Sequence, residues 1–91
     1  MAPWRIVELK VQPNYQLLVT FFDGVSGAVD MRSMLTQRNL AGTVFEPLQE
    51  AEFFAKASLE HGAVTWPNGA DLAPDAMHDE IAKHGVWVLR D

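Results

Sequence analysis

The run from Tyr15 to Phe22 constrains the fold more than any other part of the chain. It is rich in residues that favour β-strands. Asp23 and Gly24 follow it directly, and this dipeptide is a strong short-range signal for a hairpin turn. Because Val25 to Met31 then continues in the same apolar manner, the sequence predicts two antiparallel strands, near residues 15–22 and 25–30.

A third strand is predicted at the N-terminal end. Residues 4–11 show partial alternation of apolar and polar side chains, which is typical of a strand. Gln12-Pro13-Asn14 then reads as a turn, since proline fixes φ and asparagine tolerates positive φ. Three strands joined by two tight connections predict an antiparallel meander.

The second half of the chain predicts a hairpin and two helices. Strands near 57–60 and 63–66 would be joined by a turn at Glu60-His61-Gly62. A helix near 49–56 would carry Glu50 and Glu52 in its first turn, where acidic residues suit the positive helix end. A helix near 74–84 would begin at Pro74 and be capped by Gly85. A further short helical turn is expected between residues 30 and 40.

These elements predict an α+β fold: an antiparallel three-stranded meander plus a second hairpin, with two or three short helices. The length of 91 residues predicts a single domain spanning 1–91. A last apolar run, Val86-Trp87-Val88-Leu89, leaves two outcomes open. It either completes the sheet within one chain or pairs across a two-fold axis in a dimer.

Composition limits the function classes. The absence of cysteine excludes disulfides and thiolate metal sites. A formal charge of −5, with seven scattered basic residues, disfavours direct nucleic-acid binding and favours a basic protein partner. No apolar run approaches the roughly 20 residues of a membrane span, and the N-terminus does not read as a signal peptide. We therefore expect a cytoplasmic protein that associates with protein, either a partner or itself, and that uses no cofactor and no membrane.

No catalytic constellation is recognisable. His78 and His84 are six residues apart, which places them about 120° apart around a helix, so they cannot share a metal ion. None of the serines or threonines lies in a strand–turn–helix context typical of a nucleophile. The histidines are expected to be solvated, and Asp71 is expected to cap the start of the helix near 74–84. We expect a protein without enzymatic activity.

The run Trp66-Pro67-Asn68-Gly69-Ala70-Asp71 has two interpretations. In one it is a structural joint, with Trp66 mostly buried in the core and Asn68-Gly69 turning the chain. In the other it forms the rim of a ligand site. The residues proposed for a ligand or partner surface are Trp66, Asn68, Asp71 and Trp87.

The order of motifs resembles the bacterial domain of unknown function 2442 family over residues from about Ile6 to about Ile81. The motifs are Tyr15-x-Leu17-x-Val19-x-Phe21-x-Asp23-Gly24, Val29-Asp30, Phe45-x-Pro47-Leu48, Phe53-Phe54 and, most specifically, Trp66-Pro67-Asn68-Gly69-Ala70-Asp71-Leu72. The resemblance implies a small α+β fold with no established catalytic residue. It also implies a setting like a toxin–antitoxin pair, beside a small basic protein.

Two functional hypotheses follow. The first is an acidic interaction module, antitoxin-like, that binds a cognate basic protein. The second is a small-molecule-binding or enzymatic domain with a site near Trp66, Asn68 and Asp71.

Overall fold

A computed structural model describes residues 2–37 and 39–90. Four strands form the main sheet: β1 (Ile6–Gln12), β2 (Gln16–Phe21), β3 (Ser26–Asp30) and β6 (Val86–Val88). A two-stranded hairpin is built from β4 (Ser58–Glu60) and β5 (Ala63–Thr65). The helices are α1 (Arg32–Gln37), α2 (Ala51–Phe54) and α3 (Pro74–His84). The α+β class and both predicted hairpins are thereby confirmed.

The main sheet has the strand order β1-β2-β3-β6. The meander β1-β2-β3 is antiparallel as predicted, with Leu9 opposite Val19 and Leu17 opposite Val29. The C-terminal run joins this sheet within the same chain, since β6 pairs with β3 in parallel register. The sheet is therefore mixed, and α3 supplies the crossover that a parallel neighbour requires.

The β2–β3 hairpin is confirmed, with a longer loop than the predicted strand limits imply. The Gly24 N–H donates to the Phe21 carbonyl, and the Phe21 N–H donates to the Val25 carbonyl. The Val25 N–H also donates to Asp23 Oδ1, 3.0 Å away. Phe22, Asp23 and Gly24 thus form the loop, and an aspartate side chain takes part in closing it.

The two faces of the main sheet have different environments. On the face towards the helices lie the fully buried Leu17, Val19, Phe21 and Val29. The opposite face, which we call the outer face, carries Leu18, whose exposed fraction is 42%. By strand alternation and register the outer face also carries Glu8, Lys10, Gln12, Gln16, Thr20, Ser26, Ala28, Asp30, Val86 and Val88.

The predicted helix near 49–56 is too long. A 3₁₀ turn covers Glu46–Gln49, and α2 covers only Ala51–Phe54. Glu50 separates them, because its backbone is extended, with φ −85° and ψ 123°. The predicted helical turn between residues 30 and 40 is α1. No helix in the described part of the chain is long and apolar enough to cross a membrane.

Helix α3 spans the predicted residues 74–84. Pro74 stands in its first turn, and Gly85 ends it in the left-handed region with φ 79°, both as predicted. The expected cap by Asp71 is wrong. Ala73 is the residue before the helix, no side chain caps it, and Asp71 instead forms a β-bridge with Thr65. The helix packs on Gly27, where a Cβ would lie 2.6 Å from Ile81 Cγ2 and would overlap the Gly85 carbonyl.

Candidate functional site

Trp66 is a core residue, as the joint interpretation predicts. Its exposed fraction is 3%, and its ring centroid lies 5.8 Å from that of Phe54. The indole Nε1–H donates to the Phe54 carbonyl at 2.9 Å. Because the apolar ring is buried and its single polar group is satisfied internally, this side chain ties the β4–β5 hairpin to α2.

Asn68 and Asp71 are exposed and stand on either side of the turn. Asn68 Nδ2 donates to the Val44 carbonyl at 2.8 Å, and its Oδ1 accepts from the Ala70 N–H at 3.2 Å. The Asn68 side-chain oxygen therefore stabilises the turn, and its amide nitrogen binds the loop that contains Val44. The carboxylate of Asp71 is exposed beside β5.

Trp87 lies apart from the other three proposed residues. It is half-buried on β6, opposite Val29, and packs against the core. Trp66, Asn68 and Asp71 belong to the connection that leads from β5 to α3. The four residues are therefore divided between a strand of the main sheet and the connection from β5 to α3.

Two shallow depressions lie on the surface near the β4–β5 hairpin and near α2. One, of about 400 Å³, is lined by Trp66, Asp71 and the polar outer side of the β4–β5 hairpin, including Glu60 and His61. The other, of about 530 Å³, lies between the β1–β2 turn and α2 and is lined mainly by apolar groups, including Tyr15 and Phe54. The Tyr15 hydroxyl donates to the Gln49 carbonyl, and its ring meets Phe54 edge-on at 5.4 Å. Both depressions are open to solvent.

The prediction of a solvated helix-face histidine is wrong for His78. Its Nε2 lies 2.8 Å from Asp23 Oδ2, and its ring meets Phe21 edge-on with centroids 4.9 Å apart. The side chain of His78 retains an exposed fraction of only 21%. The pKa of Asp23 is lowered, first by the hydrogen bond from the Val25 N–H and then by His78. No local sequence signal links residues 55 positions apart.

Within residues 2–37 and 39–90, no group of three or more histidine, aspartate or glutamate side chains could hold a metal ion. In the same part of the chain, no polar or charged side chain belongs to the fully buried set. The polar and charged side chains of the described residues are therefore at least partly exposed to solvent.

The charges are unevenly divided along the chain. Residues 46–84, from the 3₁₀ turn to the end of α3, hold eight acidic and two basic residues, a formal charge of −6. The rest of the chain, which contains the main sheet and α1, has a formal charge of +1. We call residues 46–84 the acidic half. Seven of its carboxylates are exposed: Glu46, Glu50, Glu52, Glu60, Asp71, Asp75 and Asp79.

The carboxylate of Asp30, on the outer face of the sheet, is neutralised by the neighbouring Arg32. Its side chain accepts hydrogen bonds from the Arg32 backbone N–H and guanidinium, with Oδ2 at 2.9 Å from Nη2. The Arg32 guanidinium is the main cause that lowers the pKa of Asp30. The outer face of the sheet therefore carries little uncompensated negative charge.

Comparison with known proteins identifies the family of the chain. The model of a protein family of unknown function, DUF2442, matches residues 6–83. The chain belongs to this family. The match includes β1 to β5 and nearly all of α3, and it ends before β6. No curated protein and no solved structure matches the chain.

Proposed function

We propose that this DUF2442 domain is a protein-interaction module that binds a basic protein partner through its acidic half. The observation that carries the proposal is the separation of charge, −6 over residues 46–84 against +1 over the remainder. An excess of negative charge on a small protein attracts a partner of opposite charge and speeds the association of the two proteins.

The exposure of the carboxylates supports a binding role. Glu50 and Glu52 lie at the start of α2, and Glu60 lies on β4. All three are exposed and available to a cationic surface. Lys56 is the basic residue nearest to these glutamates in sequence. Its ammonium group lies over the Phe53 ring, 5.9 Å from the ring centroid, and interacts with that ring.

The interaction role is favoured over a small-molecule site at the Trp66 turn. The Trp66 ring is buried, and its indole N–H and the Asn68 amide already bond within the chain. A ligand rim would need these groups to be free to face the depression. Asn68 is exposed, but its amide is bonded within the chain, and the exposed carboxylate of Asp71 fits the acidic surface equally well.

A small basic protein is the partner class that the charge favours, in keeping with an antitoxin-like role. The experiment is to co-express the chain with the product of each adjoining gene and to isolate complexes by size-exclusion chromatography. Affinity is then measured by titration calorimetry at about 50 mM and about 500 mM salt, because screening weakens contacts between exposed charges.

A charge-neutralised variant identifies the surface. Glu50→Gln, Glu52→Gln and Glu60→Gln together should weaken binding at low salt by about tenfold or more and flatten its salt dependence. Glu8→Gln is the matched control, since Glu8 is an exposed strand glutamate outside the acidic half. A complex whose affinity is indifferent to salt and to the triple substitution would contradict the proposal, as would the absence of any complex.

A further inference from the structure

The two edges of the main sheet are protected to different degrees. The β1 edge carries Glu8 and Lys10, has a register irregularity between Ile6 and Glu8, and is followed by Pro13. The Ile6 N–H also donates to the Gly62 carbonyl of the β4–β5 turn at 2.9 Å, which covers the start of this strand. Charges, bulges, proline and covering segments are the devices by which proteins prevent strand addition at an edge.

The β6 edge has none of these devices among Val86, Trp87 and Val88. On its inner side, the Gly85 carbonyl accepts from the Ala28 N–H, and the Leu89 N–H donates to the Asp30 carbonyl. Since backbone groups alternate along a strand, the N–H and C=O groups of Val86 and Val88 point away from β3. In the described part of the chain, β6 ends the sheet.

The side chains at this edge are apolar on both faces. Val86 lies opposite Ala28 on the outer face, and Ala28 lies opposite Leu18, so the three form one row across the sheet. Val88 lies opposite Asp30, whose carboxylate is already paired with Arg32. On the other face Trp87 is only half-buried. A strand added here would cover apolar side chains without burying an uncompensated charge.

We propose that β6 of a second copy occupies this edge, antiparallel and related by a two-fold axis at Trp87. The outward-facing groups belong to Val86 and Val88, which are placed symmetrically about Trp87. Each Val86 would then pair with Val88 of the second copy, giving four N–H···O=C hydrogen bonds. The two Trp87 residues would face each other as a non-hydrogen-bonded pair, with Cα atoms about 4.5 Å apart.

A second copy fits the charge distribution as well as the backbone. Between Gly85 and Leu89 there is no charged residue, so pairing these runs brings no carboxylates into opposition. Two copies that met through their acidic halves would instead repel each other. Because β6 contributes only three residues, the interface is small, and the dimer should dissociate on dilution. This inference is independent of the proposed partner, which would contact the acidic half.

The first test blocks the edge without disturbing the sheet. The N–H of Val88 points outward, so Val88→Pro removes a donor from the edge and none from the β3 ladder. Light scattering over a dilution series should show a monomer–dimer equilibrium for the parent and a monomer for Val88→Pro. Circular dichroism should show the same fold for both. A parent that stays monomeric at every concentration would overturn the proposal, and so would a dimer that survives in a folded Val88→Pro chain.

The second test fixes the register and does not depend on the proline variant. The chain contains no cysteine, so Val86→Cys and Val88→Cys each introduce a unique thiol. Hydrogen-bonded antiparallel pairs have Cα atoms about 5.5 Å apart, within the range of about 4.4–6.8 Å that a disulfide requires. Under oxidation, a mixture of the two variants should cross-link, whereas each variant alone should not. Cross-linking that is equally strong in either variant alone would overturn the register, and Ser58→Cys, exposed on β4, measures the random background.

Discussion

His78 Nε2 on α3 lies 2.8 Å from Asp23 Oδ2 at the tip of the β2–β3 hairpin. The contact joins the hairpin loop to the helix that covers the sheet, and the His78 ring also rests edge-on against the buried Phe21. Asp23 thus has two functions, because it accepts the Val25 N–H within its own loop and holds His78 from α3.

The first prediction concerns the acid dependence of stability. The pKa of Asp23 is lowered in the folded chain from its ordinary value of 3.8, mainly by the Val25 N–H and then by His78. A depressed carboxyl pKa stabilises the fold above the unfolded-state pKa, and this contribution is lost as the pH falls through the folded-state pKa. Asp23→Asn should therefore lower the melting temperature near pH 7, and the difference from the parent should shrink as the pH falls below about 3.8.

The matched control is Asp71→Asn, which also removes one exposed carboxylate. Thermal melts of the parent and both variants across the acidic range make the comparison. If Asp23→Asn and Asp71→Asn showed the same pH profile, Asp23 would have no special role in the hairpin.

The second prediction concerns the contact of α3 with the sheet. Gly27→Ala would place a methyl group against Ile81 Cγ2 and the Gly85 carbonyl. Overpacking of this kind costs about 1–3 kcal/mol of unfolding free energy. Denaturant unfolding should show this loss, and Ile81→Leu in the same chain should recover part of it, because leucine has no Cγ2 methyl group.

Gly42→Ala serves as a contrast for that prediction. Nothing lies within 4 Å of a Cβ at Gly42, but its φ is 81°. Its cost arises from the left-handed backbone, about 1–2 kcal/mol, and Ile81→Leu should not relieve it. Recovery by Ile81→Leu in both variants would show that crowding at α3 is not the cause.

Elements defined by local chemistry were predicted well from the sequence. The β2–β3 hairpin follows from a run of strand-forming residues and an Asp-Gly pair. The limits of α3 follow from Pro74 at its start and Gly85 at its end. The burial of Trp66 agrees with one of the two interpretations of its turn, the structural joint in which the neighbouring residues turn the chain. In each case the decisive residues are neighbours in the chain.

Features set by distant contacts could not be predicted. The parallel pairing of β6 with β3 depends on where α3 returns the chain, and the sequence left its partner open. The prediction that Asp71 caps α3 was wrong because Asp71 forms a β-bridge with Thr65. Helix-capping patterns in the sequence do not indicate such a bridge. The contact of His78 on α3 could not be predicted because its partner, Asp23, lies 55 residues away in the β2–β3 loop. The outer position of Leu18 was predictable from the sequence, since Leu18 alternates with the buried Leu17 and Val19.

The third prediction concerns the buried tryptophan. Trp66→Ala should cost about 3–5 kcal/mol, because it removes a large core side chain. Trp66→Phe should cost less, because the Phe54 carbonyl loses its indole donor but keeps the Ala57 N–H, and one hydrogen bond contributes about 0.5–1.5 kcal/mol. Trp4→Ala is the control, since Trp4 is 42% exposed and its loss should change stability by about 0.5 kcal/mol or less. Equal effects for Trp66→Ala and Trp4→Ala in chemical denaturation would show that Trp66 has no core role.

The last prediction is that the chain binds DNA only weakly. Affinity for DNA comes largely from contacts of lysine and arginine with phosphates. Outside the acidic half, the chain has a formal charge of only +1. One of its cations, Arg32, is already paired with Asp30, and the acidic half would repel the phosphates. Fluorescence anisotropy with a labelled duplex at physiological salt should give a dissociation constant of about 10⁻⁴ M or weaker. Glu50→Gln with Glu52→Gln and Glu60→Gln should tighten this binding slightly, whereas tight binding by the parent at nanomolar concentration would show that a localised cationic surface outweighs the net charge.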